Sequence, residues 1–360
     1  MSLRERLAAQ IAAGGPISVA QYMTACLHDP EFGYYATRPA LGEGGDFITA
    51  PMVSQMFGEL VGVWAASSWE LMGRPDELRL VEMGPGDGTL MSDVLRTVRH
   101  AAGFLEAADF WLVETSAPLR ALQRERLPQD VRWAASLDEV PGGAPLILVA
   151  NELLDCLPAR QFVRTAIGWA EQVVGLDADG ELAFGLAPTP AAALLPDAAP
   201  GQVYEQSAAQ GALGAELGRR VAADGGAALL IDYGRAGPGF GDTLQALRRH
   251  EKVDPLATPG EADLTIHADF PAVMAAARGE GAAAAILTQA DFLARMGIGA
   301  RAEALVRAAP NRTAMIGRQL TRLLGADEMG ELFKACAIHS PDWTPPAFED
   351  APKDAPEEGA

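Results

Sequence analysis

Short apolar runs alternate with amphipathic helical segments along the middle of the chain. Five runs fall between Leu78 and Tyr233: LRLVEM, FWLVE, a weaker VRWAA, LILVA and AALLIDY. Helical patterns, TLMSDVLRTVRH and PLRALQRERL, separate the first three runs. Parallel strands that are buried on both faces read as continuous apolar runs and need helical crossovers. The alternation therefore predicts an α/β core with a mostly parallel sheet.

The segments around this core have different patterns. Before it the pattern is helical, with Ser18 predicted to cap one helix and Pro51 to open another that ends at Gly73. Inside it, QFVRT, EQVVGL and ELAFGL alternate around turn signals such as DADG, which predicts an antiparallel meander. A Gly- and Pro-rich stretch from Gly234 to about Phe270 is long enough to be a functional lid or disorder, with helices resuming near Thr288 and running to Phe333.

These patterns define a predicted domain organisation. The ending FEDAPKDAPEEGA has almost no large apolar residue, so we expect a mobile acidic tail. The predicted parts are an N-terminal helical region over residues 1–75 that covers the ligand site, a core over 76–340 with insertions at about 160–200 and 234–290, and the tail over 341–360.

Composition and charge restrict the classes of function. The 360 residues are 49% hydrophobic, which suffices for a large buried core. The net charge of -20 would repel phosphate backbones, so we expect no nucleic-acid partner. Such a surface would attract a basic protein segment, although acidic surfaces also serve solubility alone. The pattern does not determine the oligomeric state.

The first residues and the spacing of the cysteines bear on the predicted cellular location. MSLRERLAAQI is a short helix of mixed charge without the features of a signal or transit peptide, and no apolar stretch predicts membrane insertion. Three well-separated cysteines form no CxxC pair, so neither a disulfide framework nor a zinc ribbon is indicated. We therefore predict a cytoplasmic protein of bacterial type.

The segment VEMGPGDGTL carries the strongest chemical signal. A predicted strand ends in Glu82 and is followed by Gly84, Gly86 and Gly88 before a helix that begins near Thr89. Glycines let the backbone turn sharply and approach a ligand closely, and the helix start presents unpaired N–H groups. Glu82 would face the positive end of a ligand such as the methionyl ammonium of S-adenosylmethionine.

The glycine spacing distinguishes this motif from a dinucleotide fingerprint. Nicotinamide and flavin enzymes need Gly-x-Gly-x-x-Gly, whereas here the third glycine comes one residue earlier. That spacing disfavours an oxidoreductase. The next run ends in Glu114, whose carboxylate can accept both ribose hydroxyls of an adenosyl ligand. Each feature alone also fits a tight turn or a helix-start charge, but together they favour a nucleoside site.

A second polar cluster follows the fourth run. ANELLDCLPARQF places Asn151, Glu152 and Asp155 at the carboxyl edge of the sheet, where open α/β folds bind ligands. The carboxylates could hold a guanidinium and accept its proton, or Asn151 and Asp155 could only cap the turn. The fifth run adds Asp232 and Tyr233 at the same edge.

The sequence gives weaker evidence for a functional role of the other candidate residues. In GEGGDFITAP, Asp46 and Thr49 could close over the ligand or merely cap the helix after Pro51, and both interpretations stay open. His267 and Asp269 have a metal-like spacing without a third ligand nearby, so no metal is predicted. The serine-hydrolase elbow Gly-x-Ser-x-Gly does not occur.

Nearly the whole chain resembles one family. QYMTACLHDPEFGYY, GDFITAP, GPGDGTLMSDVLR, VETSAPLRALQ, ANELLDCLPARQF, LLIDYG, GDTLQALRRH, GEADLTIHADF and TQADFL occur in that order. This combination resembles the MidA-like methyltransferases, a family that includes a mitochondrial assembly factor of respiratory complex I. The resemblance implies a Rossmann-like class I methyltransferase core, S-adenosylmethionine as cofactor, and an accessible arginine of a protein, in the mitochondrial case a complex I subunit, as acceptor.

The resemblance also implies residue roles, and it has departures. The implied cofactor residues are Gly84, Pro85, Gly86 and Gly88 in the loop, Glu114 at the ribose, and Asp46 and Thr49 in the N-terminal block, with Asn151 and Glu152 beside the reacting centre. Met52, Asp87, Leu153 and Leu154 depart from the family pattern. Met52 and Asp87 motivate an alternative function, a cofactor-binding assembly module without turnover.

Overall fold

The computed structural model of the protein describes residues 1–37 and 49–351, so the candidate Asp46 lies outside the described residues. The helices are α1 (Leu3–Gly14), α2 (Val19–His28), α3 (Tyr34–Thr37), α4 (Ala50–Val53), α5 (Gln55–Leu71), α6 (Thr89–Val98), α7 (Phe104–Ala107), α8 (Ala117–Arg126), α9 (Ala208–Asp224), α10 (Phe270–Gly279), α11 (Gln289–Arg295), α12 (Ile298–Ala308), α13 (Thr313–Leu324) and α14 (Met329–Leu332). The strands are β1 (Ile17–Ser18), β2 (Leu78–Met83), β3 (Ala108–Val113), β4 (Arg132–Ala134), β5 (Leu146–Asn151), β6 (Arg160–Thr165), β7 (Gly168–Leu176), β8 (Leu182–Pro188), β9 (Val203–Gln206), β10 (Gly226–Arg235), β11 (Gln245–Arg248), β12 (Glu251–Val253), β13 (Asp263–Thr265), β14 (Ala268–Asp269), β15 (Ala283–Thr288) and β16 (Phe333–His339).

The central sheet is mostly parallel, as the apolar runs predicted. Its strand order is β4-β3-β2-β5-β10-β16-β15, and the short β14 also pairs with β10. β16 runs antiparallel to both of its neighbours, whereas the other pairs in the sheet are parallel. β5 is buried along its whole length and β10 along all but its last residue. The fold is therefore a mixed α/β architecture with the carboxyl ends of β2, β3, β5 and β10 at one edge.

Helices cover both faces of this sheet. One face packs against α5, α6, α11, α12 and α13 through a large apolar cluster that includes Trp64, Val94 and Phe292. The other face packs against α9 and α10, where Leu217 and Phe270 are fully buried. Strands enclosed on both sides can be apolar on every residue, which explains the continuous runs in the sequence.

A third apolar cluster lies outside the central sheet. Tyr22 and Met23 of α2 are fully buried there, together with Val174 of β7 and Leu264 of β13. The predicted meander is present as β6, β7 and β8, which pair antiparallel, and β9 and β1 extend the same sheet. The N-terminal helices thus pack on the two insertions.

Of two sequence predictions about the first half, the structure confirms one and contradicts the other. The capping of α2 by Ser18 is confirmed, because its side chain accepts the backbone N–H of Gln21 and Gln21 reaches back to the cap. The single helix from Pro51 to Gly73 is wrong. The chain forms α4 and α5 instead, since Ser54 adopts an extended backbone and accepts the N–H of Met56.

Larger corrections concern the second half. The segment after Gly234 is not an extended loop, because β11 pairs with β12 and β13 in a small antiparallel sheet. The helical prediction from Thr288 to Phe333 missed α10 and β15 before it and β16 after it. The tail predicted over 341–360 does not begin at 341, because Phe348 is 2% exposed and packs against Phe292. Residues 352–360 lie outside the described residues.

Candidate active site

The glycine turn after β2 adopts a backbone that other residues tolerate poorly. Gly84, Gly86 and Gly88 have φ values of 66°, 53° and 82°. In this left-handed region a Cβ is strained, so each position favours glycine. Gly88 is the N-cap of α6, and the turn brings the first amides of that helix to the sheet edge. Two of these amides are engaged by carboxyl groups, since the Thr89 N–H donates to Oδ1 of Asp87 at 3.0 Å and the Met91 N–H interacts with Glu82.

Glu82 lies beneath this turn and is only 3% exposed. Its carboxyl group interacts with the backbone N–H of Met91 in α6, while its Oε2 atom has no hydrogen-bond partner within the described parts of the chain. Burial, with a smaller contribution from nearby Asp87, raises the pKa of Glu82 to about 8. A cationic group placed against Oε2 would stabilise the ionised carboxylate and lower its pKa again.

Hydrogen bonds through Glu114, which follows β3, and Gln123 of α8 connect the end of β3 to the glycine turn. Oε1 of Glu114 accepts the backbone N–H of Ser116 at 2.7 Å, and Oε2 accepts Nε2 of Gln123 at 3.3 Å. The same Nε2 donates to the carbonyl of Gly86 at 2.7 Å, and Trp133 donates to Oε1 of Gln123 at 2.8 Å. Burial raises the pKa of Glu114 despite these donors. Sequence analysis missed Gln123, which holds two motif elements together.

The turn after β5 carries the second polar cluster. Glu152 has a φ of 53°, unusual for a residue other than glycine, and its Oε1 accepts the N–H of Ala50 at 3.1 Å and Nδ2 of Asn151 at 2.9 Å. Burial and the neighbouring Asp155 raise the pKa of Glu152 to about 7. Oδ1 of Asn151 is buried and has no partner among the residues described. Such left-handed residues often occur at functional sites.

Asp155, Asp232 and Tyr233 are adjacent at the same edge. The Tyr233 hydroxyl donates to Oδ2 of Asp155 at 2.7 Å. Burial raises the pKa of Asp155 to about 6, against the opposing effect of this hydrogen bond. Asp232 is fully buried and accepts three backbone N–H groups, and burial holds its pKa well above the usual range.

Most of these groups line one cavity of about 260 Å³, whereas Gln123 and Asp232 are not among its lining residues. Of the predicted site residues, the structure brings together Thr49, Glu82, Gly84, Pro85, Gly86, Glu114, Asn151, Glu152 and Asp155. Gly88 does not line the cavity, since it caps α6 behind the turn. Thr49 precedes α4 without capping it through its side chain, and it lines the cavity.

Three lining residues come from regions that the site predictions omitted. His28 ends α2, Tyr35 lies in α3 and Asp263 begins β13. The Tyr35 hydroxyl lies 2.9 and 3.0 Å from the two carboxylate oxygens of Asp263. No local pattern in the sequence marks them, although QYMTACLHDPEFGYY and GEADLTIHADF are blocks of the family resemblance.

The cavity wall is strongly acidic. Among the described residues its lining contains no Lys or Arg and six carboxyl side chains, which are Glu82, Asp87, Glu114, Glu152, Asp155 and Asp263. Asp87 pairs with a cation outside the wall, Arg126 of α8, at 2.7 Å. Such a wall favours positively charged ligands.

Comparisons with known proteins identify the family. A model of the family of putative S-adenosyl-L-methionine-dependent methyltransferases matches residues 60–288. The chain belongs to this family. Two relatives are each described as the mitochondrial protein arginine methyltransferase NDUFAF7. The protein of Danio rerio is 37% identical, and the match covers 94% of this chain and 86% of the relative. The protein of Homo sapiens is 36% identical, and the match covers 91% of this chain and 81% of the relative.

A solved structure extends the comparison to the fold. A likely methyltransferase from Burkholderia thailandensis, bound to S-adenosylhomocysteine, superposes with a TM-score of 0.84 at 30% identity and covers 97% of this chain and 95% of that one. The methyltransferase class and the S-adenosylmethionine cofactor are thereby confirmed, and the Rossmann-like class I core with them. Among residues 1–37 and 49–351, no helix has the length and apolar character to cross a bilayer.

Proposed function

We propose that this methyltransferase methylates an arginine of a protein substrate. The observation that carries the proposal is the acidic cavity wall without a described Lys or Arg. A guanidinium is always charged in proteins and offers five N–H donors to carboxylates. The NDUFAF7 relatives, named protein arginine methyltransferases, support the same acceptor.

The cofactor would occupy the end of the cavity next to the glycine turn. Gly84, Pro85 and Gly86 would face its methionyl part, and the unpartnered Oε2 of Glu82 would accept its ammonium group. Glu114 would bind the ribose hydroxyls. Gly88 would act indirectly by starting α6, and Thr49 and Asp46 would contribute from the N-terminal block. An orphaned buried oxygen facing a glycine cradle fits an adenosyl ligand with a cationic end.

The acceptor would occupy the end formed by Asn151, Glu152 and Asp155. S-adenosylmethionine supplies an electrophilic methyl group on a sulfonium, and the bonding electrons remain on sulfur as the methyl leaves. Glu152 and Asp155 would accept hydrogen bonds from the guanidinium and orient one nitrogen toward that methyl group. Either carboxylate would take the proton that this nitrogen loses. Asn151 would fix Glu152 through the bond from its Nδ2.

The cellular context completes the proposal. By the family resemblance, the acceptor arginine belongs to a respiratory complex I subunit or to an assembly intermediate. We propose a cytoplasmic location, which three free and buried cysteines support, whereas the NDUFAF7 relatives carry a mitochondrial description. The alternative is an assembly module that binds the cofactor without turnover. The pairing of Asp87 with Arg126 weakens that alternative, because the aspartate charge in the glycine turn is balanced.

A methylation assay tests the proposal. Purified protein would be incubated with S-adenosylmethionine and arginine-containing peptides or an extract with complex I intermediates, and methylated arginines would be identified by mass spectrometry. Glu152→Gln should lower methyl transfer by roughly 100-fold or more, because a neutral amide cannot accept the proton. Its affinity for S-adenosylhomocysteine should stay within about threefold of the parent.

Glu303→Gln is the matched control. Glu303 lies on the exposed surface of α12 and pairs with Arg307 at 3.5 Å, so this variant loses one charge without touching the cavity. Its turnover should equal that of the parent. Equal turnover by Glu152→Gln would remove Glu152 from the reaction. Binding of S-adenosylhomocysteine by a parent protein that methylates nothing would favour the assembly module.

A further inference from the structure

Asp232 and Tyr233 lie near the end of the buried part of β10 and contact the same turn. Asp232 accepts the backbone N–H groups of Leu154 and Asp155 through Oδ2, at 2.8 and 3.1 Å, and that of Tyr233 through Oδ1 at 2.8 Å. A carboxylate that accepts three backbone donors is fixed in orientation. The main chain that carries Asp155 is therefore held against the end of β10.

Tyr233 fixes the side chain of Asp155 in the same way. Its hydroxyl donates to Oδ2 at 2.7 Å, and both residues line the cavity. The Tyr233 ring is held edge-on by His267 and Phe333, with centroids 5.6 and 5.4 Å away. Because the ring is 8% exposed and packed on two sides, the hydroxyl has little freedom to turn away from Asp155.

The surroundings of Asp155 otherwise disfavour its charge. Within the described ranges, the ionisable groups around Asp155 are Glu152 and Cys156 in its own turn, Asp232 and Tyr233 of β10, Tyr35 of α3, Asp263 of β13 and His28 of α2, whose ring contacts the Cys156 backbone. None of these groups is a permanent cation, and burial lowers the pKa of His28, which favours its neutral form. A hydrogen bond donated to the carboxylate stabilises the ionised form, and burial among acids opposes it.

We propose that Tyr233 is a positioning residue for the acceptor end of the cavity, where its hydroxyl keeps Asp155 ionised and oriented to bind the cationic group that receives the methyl. The proposal rests on the proposed function, which places the acceptor beside Asp155. It assigns to β10 a role in setting the pH range of acceptor binding. Removing the hydroxyl should leave cofactor binding intact and move that range upward.

Sinefungin allows a test without knowledge of the acceptor protein. This analogue of S-adenosylmethionine carries an ammonium group where the transferable methyl would be, so its affinity reports the charge at the acceptor end. Isothermal titration calorimetry would give the dissociation constants of sinefungin and S-adenosylhomocysteine between pH 5 and 8.5. Their ratio removes effects common to the adenosyl and methionyl parts. In the parent, the preference for sinefungin should rise with pH as the carboxylates ionise.

Tyr233→Phe keeps the ring and removes the hydroxyl. We expect the rise in sinefungin preference to move upward by about one pH unit, because a hydrogen bond to a charged group is lost. Affinity for S-adenosylhomocysteine should be unchanged. The matched control is Tyr22→Phe, which loses a buried hydroxyl bond to the carbonyl of Pro255 outside the cavity and should keep the parent profile. A Tyr233→Phe profile that coincides with the parent overturns the inference.

Asp155→Asn separates this inference from the proposed function. If it leaves the sinefungin preference and its pH profile unchanged, Asp155 is not at the acceptor end and the site assignment of the proposed function fails. If it flattens the profile while Tyr233→Phe shifts nothing, only the role of Tyr233 is wrong. The double variant, with Tyr233→Phe and Asp155→Asn together, should have the same pH profile of sinefungin preference as Asp155→Asn alone, because the hydroxyl acts through that carboxylate.

Discussion

The two ends of the cavity are built differently. The end at the glycine turn uses Glu82, Gly84, Gly86 and Glu114, at the ends of two adjacent strands, with Gln123 of α8 bonded to the turn, and all five residues lie within about forty residues of chain. The proposed acceptor end combines the β5 turn with the end of β10, β13 and the N-terminal α2 and α3. A local motif thus suffices for a cofactor shared by many enzymes. Under the proposed function, the binding of one acceptor would depend on insertions and the N-terminal region, which can vary without altering the core.

The largest effect should come from breaking the glycine turn. Gly86→Val places a β-branched side chain at a φ of 53°, where it is strained, in the turn that we propose to hold the cofactor. We expect affinity for S-adenosylhomocysteine to fall by roughly 100-fold or more, measured by calorimetry. Gly180→Val is the control, because Gly180 has a φ of 84° but, among the described residues, no neighbouring atom within 4 Å of the place that its Cβ would take. That variant should lose stability alone; undiminished binding by Gly86→Val would refute the assigned turn.

A smaller effect should follow loss of the link between the two cofactor elements. Gln123→Met keeps the volume but removes the bonds to Gly86, Glu114 and Trp133. We expect about a tenfold loss of S-adenosylhomocysteine affinity, with turnover at saturating cofactor much less affected. Gln289→Met is the control, since Gln289 is equally buried in α11 and bonds to the carbonyl of Leu323 away from the cavity. Equal affinities in the two variants would mean that Gln123 only contributes to packing.

The smallest effect concerns pH and the stability of the cofactor-free protein. The folded-state pKa values of Glu82, Glu152 and Asp155 are raised to about 8, 7 and 6. The folded state therefore binds protons more tightly than the unfolded chain, and the free energy of unfolding should fall as pH rises from about 5 to about 8. Glu82→Gln should reduce the fall in melting temperature over this range by about 5 °C.

Glu303→Gln, at an exposed position, should leave the fall in melting temperature with pH unchanged, as measured by scanning calorimetry across the pH series. S-adenosylmethionine should also reduce the fall in melting temperature of the parent with pH, because its ammonium group would favour the ionised Glu82. Parallel curves for the parent and Glu82→Gln would show that this carboxyl does not carry a raised pKa. The cofactor end would then lack the charge complementarity that distinguishes it in the comparison.

Some sequence predictions failed where local patterns are weak. β15 is alanine-rich and β16 follows a helix directly, so neither shows the apolar run that marked β5 and β10. The small sheet of β11, β12 and β13 is held by pairing between strands as short as three residues, which periodicity over a longer window does not detect. The packing of Phe348 against Phe292 likewise depends on a contact between distant residues.

The sequence by itself determined the parallel core, the glycine turn and the carboxylates at the ends of β2 and β3. Those features follow from local rules, because buried strands must be apolar and left-handed turns favour glycine. Only the tertiary structure decided that Gln123 bonds to the turn, that Tyr35 and Asp263 meet at the cavity wall, and that Tyr233 contacts Asp155. These pairs form when the strand register and the packing of the insertions bring separate segments together, which no single stretch of sequence specifies.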